Sequence, residues 1–244
     1  MKHLKEYKLW EQSRELTPEQ EGFLNRYVRG TWGINSEGLV DVEGDFNCPG
    51  SGIKSLMGIR FGSVGGNFHC HWNQLTSLKG APREVKRDFD CSSNQLTSLE
   101  GAPREVRGNF DCSENQLTSL EGAPQEVGGN FYCYRNQLTS LEGAPREVGR
   151  NFYCHENQLT SLEGAPREVG GGFYCESNPI SDETMKLICQ KMMENPEMEY
   201  GAILASLQSR IPQEDWEKLD KSSLDKMNQT QKKVYGMLGG IGGI

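Results

Sequence analysis

The chain has 244 residues, of which 35% are hydrophobic and 25% charged, and its formal net charge is −8 at pH 7. That acidic balance argues against a nucleic-acid-binding or anionic-membrane surface, because either would need lysine and arginine clustered on one face. No run of residues approaches the apolar length of a membrane span, and the start of the chain lacks the apolar core of a signal peptide. We therefore expect a protein located in the cytoplasm of the host cell, with neutral or basic partners.

The first predicted element is a helix that begins at Thr17. Thr17 supplies an N-cap, Pro18 suits the first helical position, and Gln20 stands at the capping-box position. Gly30 is expected to end the helix. Because the first unit of a repeat stack needs a cover, residues 1–40 are interpreted as an N-terminal tail and capping helix.

Residues 41–180 repeat a unit of 21 residues. Six cysteines mark the period, and Cys48 precedes the first of them by 22 residues. The six are Cys70, Cys91, Cys112, Cys133, Cys154 and Cys175. A fixed period of this size predicts a solenoid, in which each unit buries its apolar face only against its neighbours.

Within the unit, Phe131 and Cys133 alternate with Tyr132, and this period of two predicts a short strand with one buried face. Stacked units then form internal ladders of phenylalanine, cysteine and leucine, with the short parallel strands stacked in one sheet. The asparagine three residues after each cysteine is expected to satisfy backbone groups of the turn below, because buried polar groups are hydrogen-bonded. The Gly-Ala-Pro and Gly-Gly segments indicate turns.

The pattern Phe-x-Cys-x-x-Asn-x-Leu, followed by Thr-Ser-Leu, resembles the leucine-rich repeat, with Phe and Cys in place of two leucines. The run Asn-Gln-Leu-Thr-Ser-Leu is similar to the short repeats of bacterial secreted effectors, and the Glu-Gly-Ala-Pro segment resembles repeats of bacterial and phage proteins. One extra residue between Val127 and Phe131 distinguishes this unit from the effector repeat. The resemblance implies a protein-binding scaffold whose strands line a concave face.

After Ile180 the pattern becomes helical, with Met185, Ile188, Cys189 and Met192 at helical spacing. Residues 181–244 are therefore predicted to form an all-α region, either a C-terminal cap or a separate partner-binding module. Some bacterial leucine-rich-repeat effectors carry a C-terminal ubiquitin-ligase domain with a catalytic cysteine. Cys189 does not fit the Cys-x-Asp pattern of those domains, and the region is far too short for one. We therefore expect no enzyme activity and no cofactor.

The cysteines of the repeat are predicted to be buried free thiols. No Cys-x-x-Cys occurs, and each repeat cysteine lies on the phenylalanine side of its strand, where cysteine packs as a small hydrophobe. Adjacent strands lie about 4.8 Å apart, so disulfides between neighbouring turns stay open as an alternative outside the cell.

The residues that change most between repeats are those predicted to point outward from the strands. Tyrosine, tryptophan and arginine among them are residue types that anchor interfaces. We expect this face to bind a protein or peptide, as an inhibitor or adaptor would. The candidate partner-binding residues are His69, His71, Trp72, Asp90, Asp111, Glu114, Tyr132, Tyr134, Arg135, Tyr153, His155, Tyr174 and Glu176.

Three alternatives remain for this face. The variation could reflect drift on a solvated sheet. The protein could instead be a structural or assembly component of a phage-type particle that acts through self-association. A metal site is the third alternative, because His69 and His71 are expected on the same side of one strand with Asp90 on the next.

Overall fold

The computed structural model describes residues 15–180, so the predicted C-terminal helices and Cys189 lie outside the described residues. Across residues 15–180, no helix combines the length and the apolar character needed to cross a membrane. The 21-residue period is confirmed as a solenoid of stacked strands with little helix.

The predicted capping helix is present as α1 (Pro18–Tyr27). Its capping box is complete, because Gln20 N donates to Thr17 Oγ1 at 3.3 Å and Thr17 N donates to Gln20 Oε1 at 2.9 Å. Val28 takes an extended conformation and ends the helix before Gly30. The helix covers the first turn, since Phe23 and Tyr27 lie with their ring centroids 5.8 and 6.2 Å from that of Phe46.

The strands are short and run through the whole described region. In chain order they are β1 (Val28–Arg29), β2 (Trp32–Ile34), β3 (Val40–Val42), β4 (Asp45–Asn47), β5 (Phe61–Val64), β6 (Phe68–His69), β7 (Glu84–Val85), β8 (Phe89–Asp90), β9 (Glu105–Val106), β10 (Phe110–Asp111), β11 (Glu126–Val127), β12 (Phe131–Tyr132), β13 (Glu147–Val148), β14 (Phe152–Tyr153), β15 (Glu168–Val169) and β16 (Phe173–Tyr174).

Within residues 15–180 these strands form two sheets. The first sheet has the order β1-β4-β6-β8-β10-β12-β14-β16, and the second has the order β2-β3-β5-β7-β9-β11-β13-β15. Pairing is parallel except for β1 with β4 and β2 with β3, which are antiparallel at the N-terminal end. The prediction of a single sheet is therefore wrong. Each Glu-Val pair that follows an Ala-Pro turn is itself a strand, and two residues are too few to show a period of two.

Stacking places identical residues on top of one another in the core. The repeat phenylalanines from Phe46 to Phe173 form one internal ladder, in which neighbouring ring centroids are 4.6–5.3 Å apart. The repeat cysteines are buried thiols that form no disulfide, as predicted. Burial raises the pKa of the Cys48 thiol to about 12, and the thiols of Cys70 to Cys154 are shifted in the same direction, chiefly by burial.

The predicted asparagine ladder is confirmed, and Asn115 shows how it works. Its Nδ2 donates to the carbonyl oxygens of Cys91, Cys112 and Ser113, each at 3.1 Å, and its Oδ1 accepts from Leu96 N at 3.0 Å. One side chain therefore joins two consecutive turns at four backbone groups. The same contacts to the turn below recur at Asn94 and Asn136.

A second polar ladder was not predicted. The residue before each buried phenylalanine accepts, through Oδ1, a hydrogen bond of 2.6–3.1 Å from the backbone N–H of its counterpart one turn later. The accepting residues are Asp45, Asn67, Asp88, Asn109, Asn130 and Asn151. Gly172 is the last donor, and it carries no side chain to continue the ladder.

Candidate partner-binding face

The candidate residues form three parallel rows on the outward side of the first sheet and along the turn that follows it. The strand row contains His69, Asp90, Asp111, Tyr132, Tyr153 and Tyr174, which are paired in register between neighbouring strands. The second row contains His71, Ser92, Ser113, Tyr134, His155 and Glu176. The third row contains Trp72, Ser93, Glu114, Arg135, Glu156 and Ser177.

The tyrosines of the strand row are stacked. The ring centroids of Tyr132 and Tyr153 are 4.8 Å apart with planes 9° from parallel, and those of Tyr153 and Tyr174 are 4.6 Å apart at 7°. Asn151 Nδ2 donates to the Tyr153 hydroxyl at 3.0 Å and fixes the middle ring. Because the ring faces cover one another, the rings present mainly their edges and hydroxyl groups to solvent.

The second row extends this stack sideways. The rings of Tyr134 and His155 are parallel within 5° and 4.7 Å apart. Each meets a tyrosine of the strand row edge-on, with centroid distances of 6.4 Å for Tyr134 and Tyr132 and 6.3 Å for His155 and Tyr153. Tyr132, Tyr134, Tyr153, His155 and Tyr174 thus form one continuous surface, which we call the aromatic patch.

The third row has an unusual backbone. All six of its residues have φ between 51° and 55°, the left-handed region that residues other than glycine enter at an energetic cost. Gly50 occupies the equivalent position in the first turn with φ 57°. Because glycine favours positive φ, it is the one residue at this position from which the left-handed backbone could have been predicted. Trp72 also has this backbone conformation, and the residue is 67% exposed.

Arg135 is held between two carboxylates on neighbouring turns. Its Nη1 lies 2.9 Å from Glu114 Oε1, and its Nε lies 2.9 Å from Glu156 Oε2. Ser93 donates to the other oxygen of Glu114 at 2.8 Å, and these contacts lower the pKa of Glu114, the serine contact most. Exposed ion pairs of this kind contribute little to stability, but they compensate the charge of Arg135 and leave the rim of the aromatic patch acidic.

His69 and His71 lie at the N-terminal end of the face. His71 Nδ1 is buried 2.9 Å from Asp90 Oδ2, but the contact lacks hydrogen-bond geometry. The rings of His69 and His71 are 5.8 Å apart, and His71 meets Trp72 edge-on at 5.3 Å. In the described part of the chain, no three His, Cys, Asp or Glu side chains are grouped as a metal site would require.

Asp111 is the carboxylate most affected by its surroundings. It is paired in register with Asp90 on one side and Tyr132 on the other. Burial, assisted by the charge of Asp90, raises its pKa to about 6, although hydrogen bonds from the Ser113 hydroxyl and backbone N–H oppose the shift. The aromatic patch therefore borders a carboxyl group that ionises close to neutral pH.

Replacing Asp111 with asparagine is expected to raise the free energy of unfolding at pH 7.5 by about 1–2 kcal/mol, since a shifted pKa is a stability term. In the native chain, folded Asp111 binds its proton more tightly than unfolded Asp111. The stability that this protonation gives the native chain is complete below about pH 4 and is lost as the pH rises through about 6, whereas the asparagine variant keeps its stability. Urea unfolding from pH 4 to pH 7.5 should show the variant and the native chain diverging as the pH increases. A difference that stays constant with pH would contradict this origin.

Comparison of the chain with protein-family models, curated proteins and solved structures finds no match.

Proposed function

We propose that this protein is a non-enzymatic interaction scaffold that binds a protein or peptide on the aromatic patch. One observation carries the proposal. Five partly exposed aromatic rings form a single patch on the face that varies between turns, whereas the phenylalanine, cysteine and asparagine ladders inside the same turns do not vary. Drift on a solvated face would not by itself group these rings.

The geometry of the patch favours a polypeptide as the partner. The stacked rings are held by one another and by Asn151, so little side-chain freedom is lost when a partner binds. Their exposed edges and hydroxyl groups offer apolar contact beside hydrogen-bonding groups, a combination enriched at protein interfaces. Ring faces, which a planar ligand would need for stacking, are largely occupied within the ladder.

The charges around the patch indicate which partners are compatible. Asp111, Glu114, Glu156 and Glu176 surround it, and Arg135 is already paired with two of them. An acidic rim favours a neutral or basic partner through electrostatic complementarity. The resemblance of the repeat to leucine-rich repeats supports the same role. The proposal is therefore a leucine-rich-repeat protein that acts as an inhibitor or adaptor of its partner.

The test is capture of a partner from the native host by the full-length protein, followed by binding measurements with single variants. Tyr132→Ala and Tyr153→Ala should each weaken binding of the captured partner by about 1–2 kcal/mol, or roughly 5–30-fold, as truncated interface aromatics do. Gln137→Ala is the matched control, because Gln137 is exposed on a neighbouring turn segment outside the patch. Retained binding in both tyrosine variants, with folding intact, would refute the proposal.

A further inference from the structure

On the second sheet, an outward-facing stripe of glutamates is flanked by a parallel stripe of exposed, mostly basic residues that precede the strands. The acidic stripe is Glu84, Glu105, Glu126, Glu147 and Glu168, paired in register on five neighbouring strands. The basic stripe lies one residue earlier in each turn, with glutamine in the third place. Its members are Arg83, Arg104, Gln125, Arg146 and Arg167. Backbone hydrogen bonds of 2.8–2.9 Å link three successive pairs of these positions, Arg104 to Arg83, Arg146 to Gln125 and Arg167 to Arg146.

Like charges in register on neighbouring strands are destabilising, and among the residues that the structure describes they are compensated only at the N-terminal end of the stripes. Arg83 pairs with Glu37 at 2.8 Å, Lys86 pairs with Glu84, and Arg107 lies 3.0 Å from Glu105. In the three later turns, glycine replaces the basic residue at the position of Lys86 and Arg107.

Within residues 15–180, the later part of both stripes therefore has no salt-bridge partner. Among residues 15–180, the salt bridges at this face stop at Arg107, and none within 4.0 Å reaches Glu126, Glu147, Glu168, Arg146 or Arg167. The same five side chains are exposed. Charges of both signs, in a fixed order and spacing, thus remain available to another molecule.

The glycines also shape the surface beside the acidic stripe. A groove of about 380 Å³ runs along the second sheet from Glu105 to Gly170. Its wall cannot be filled at Gly128, because a Cβ there would lie 2.2 Å from the carbonyl oxygen of Arg107. Close stacking of the turns therefore keeps the groove open next to the unpaired glutamates.

We propose that this face binds a second copy of the same chain, with the basic stripe of each copy over the acidic stripe of the other. A two-fold axis parallel to the stripes exchanges their sides and sets arginine over glutamate in both halves of the interface. A two-fold axis across the stripes would set arginine over arginine. The interface is isologous, as in most homodimers.

The repeat makes this pairing possible at every turn. Both copies have the same spacing of about 4.8 Å between strands, so one correct pair brings the neighbouring pairs into register. Each copy's unpaired glutamates gain arginine partners, which relieves the repulsion within the acidic stripe. Because the contacts are charged and exposed, the association should be weak and should decrease as salt screens it.

Charge reversal tests the proposal in the full-length chain by sedimentation velocity over a range of protein concentrations and salt. The native chain should form a dimer at about 50 mM NaCl and dissociate progressively toward about 500 mM. Glu147→Arg with Glu168→Arg, and separately Arg146→Glu with Arg167→Glu, should each raise the dimer dissociation constant at least about ten-fold, because each sets like charges over one another at two turns.

An equimolar mixture of these two variants provides the sharpest result. Their stripes are complementary, so the mixture should form a heterodimer with a dissociation constant within about three-fold of the native value. Glu121→Arg with Glu142→Arg is the matched control, since it makes the same charge change at exposed turn positions and should leave dimerisation unchanged. Glu147→Gln with Glu168→Gln introduces no new charge and should also weaken the dimer.

A native chain that stays monomeric at low salt, dimerisation that survives both reversals, or a mixture that stays monomeric would each overturn the proposal. The outcome is separable from that for the aromatic patch, which lies on the other sheet. Tyr132→Ala and Tyr153→Ala should leave the dimer intact.

Discussion

Replacing Phe110 with alanine is expected to lower the free energy of unfolding by about 3–5 kcal/mol, as for other buried phenylalanines. The ring is fully buried and stacks on Phe89 and Phe131 at 5.3 Å on each side. Its removal would open a cavity between two turns and reduce contacts with both neighbours. Because each turn of a solenoid is stabilised by the adjacent turns, the loss should extend beyond one repeat.

Equilibrium urea unfolding and thermal melting measure this effect. Leu117→Ala should act in the same direction by about 2–5 kcal/mol, since Leu117 is also fully buried. Glu121→Gln should change stability by less than about 0.5 kcal/mol, because Glu121 is exposed. An unchanged thermal midpoint for Phe110→Ala would contradict the burial of Phe110 in the phenylalanine ladder.

Replacing Asn115 with alanine is expected to be similarly damaging, at about 3–5 kcal/mol. The substitution removes four hydrogen bonds. It leaves Leu96 N without its acceptor and takes one of two donors from each of the carbonyl oxygens of Cys91, Cys112 and Ser113. The unpaired N–H costs about 1–3 kcal/mol, each lost hydrogen bond to a carbonyl that keeps a second donor costs about 0.5–1.5 kcal/mol, and these losses are not fully additive.

The two polar ladders supply an internal comparison for this prediction. Asn130→Ala removes the acceptor of only one backbone N–H, that of Asn151, and should cost about 1–2 kcal/mol. Gln116→Ala, beside Asn115 but exposed, should be nearly neutral. Urea unfolding of the three variants should rank them in that order. Equal losses for Asn115→Ala and Asn130→Ala would contradict the four-contact role of Asn115.

The interior of the solenoid could be predicted from the sequence because repetition distinguishes its positions. Phe110 and Cys112 recur without change, which indicates a fixed environment, and Asn115 recurs as a polar residue that a buried position must satisfy. The capping helix was predictable for a different reason. Thr17, Pro18 and Gln20 act through local hydrogen bonds and a fixed backbone angle, so they need no knowledge of the rest of the fold.

The second sheet could not be predicted in this way. Glu126 and Val127 form a strand only because the same two residues pair with the turns before and after them. A segment of two residues has no measurable period, and the preceding Ala-Pro indicates a turn. The ladder through Asn109 and Asn130 was missed because asparagine at a turn has local explanations that need no partner in another turn.

The candidate face was predictable in position but not in geometry. Variation between repeats predicted that Tyr132, Tyr153 and Arg135 lie on the outward side of the solenoid. The stacking of the tyrosine rings and the pairing of Arg135 with Glu114 and Glu156 depend on the turn spacing and on side-chain conformations, which the sequence pattern does not specify. Arg135 therefore links neighbouring turns of the face, and its positive charge is compensated by the two glutamates.

Gly172 determines how the solenoid can be lengthened. An additional repeat inserted between Asn130 and Asn151 would find a side-chain acceptor below it and would offer one to the turn above, so the connection between turns would be preserved. A repeat appended after Gly172 would place its corresponding backbone N–H over a residue with no side-chain acceptor. Growth by internal duplication is thus compatible with the hydrogen bonding of this chain, whereas extension or end-to-end polymerisation at this edge is disfavoured.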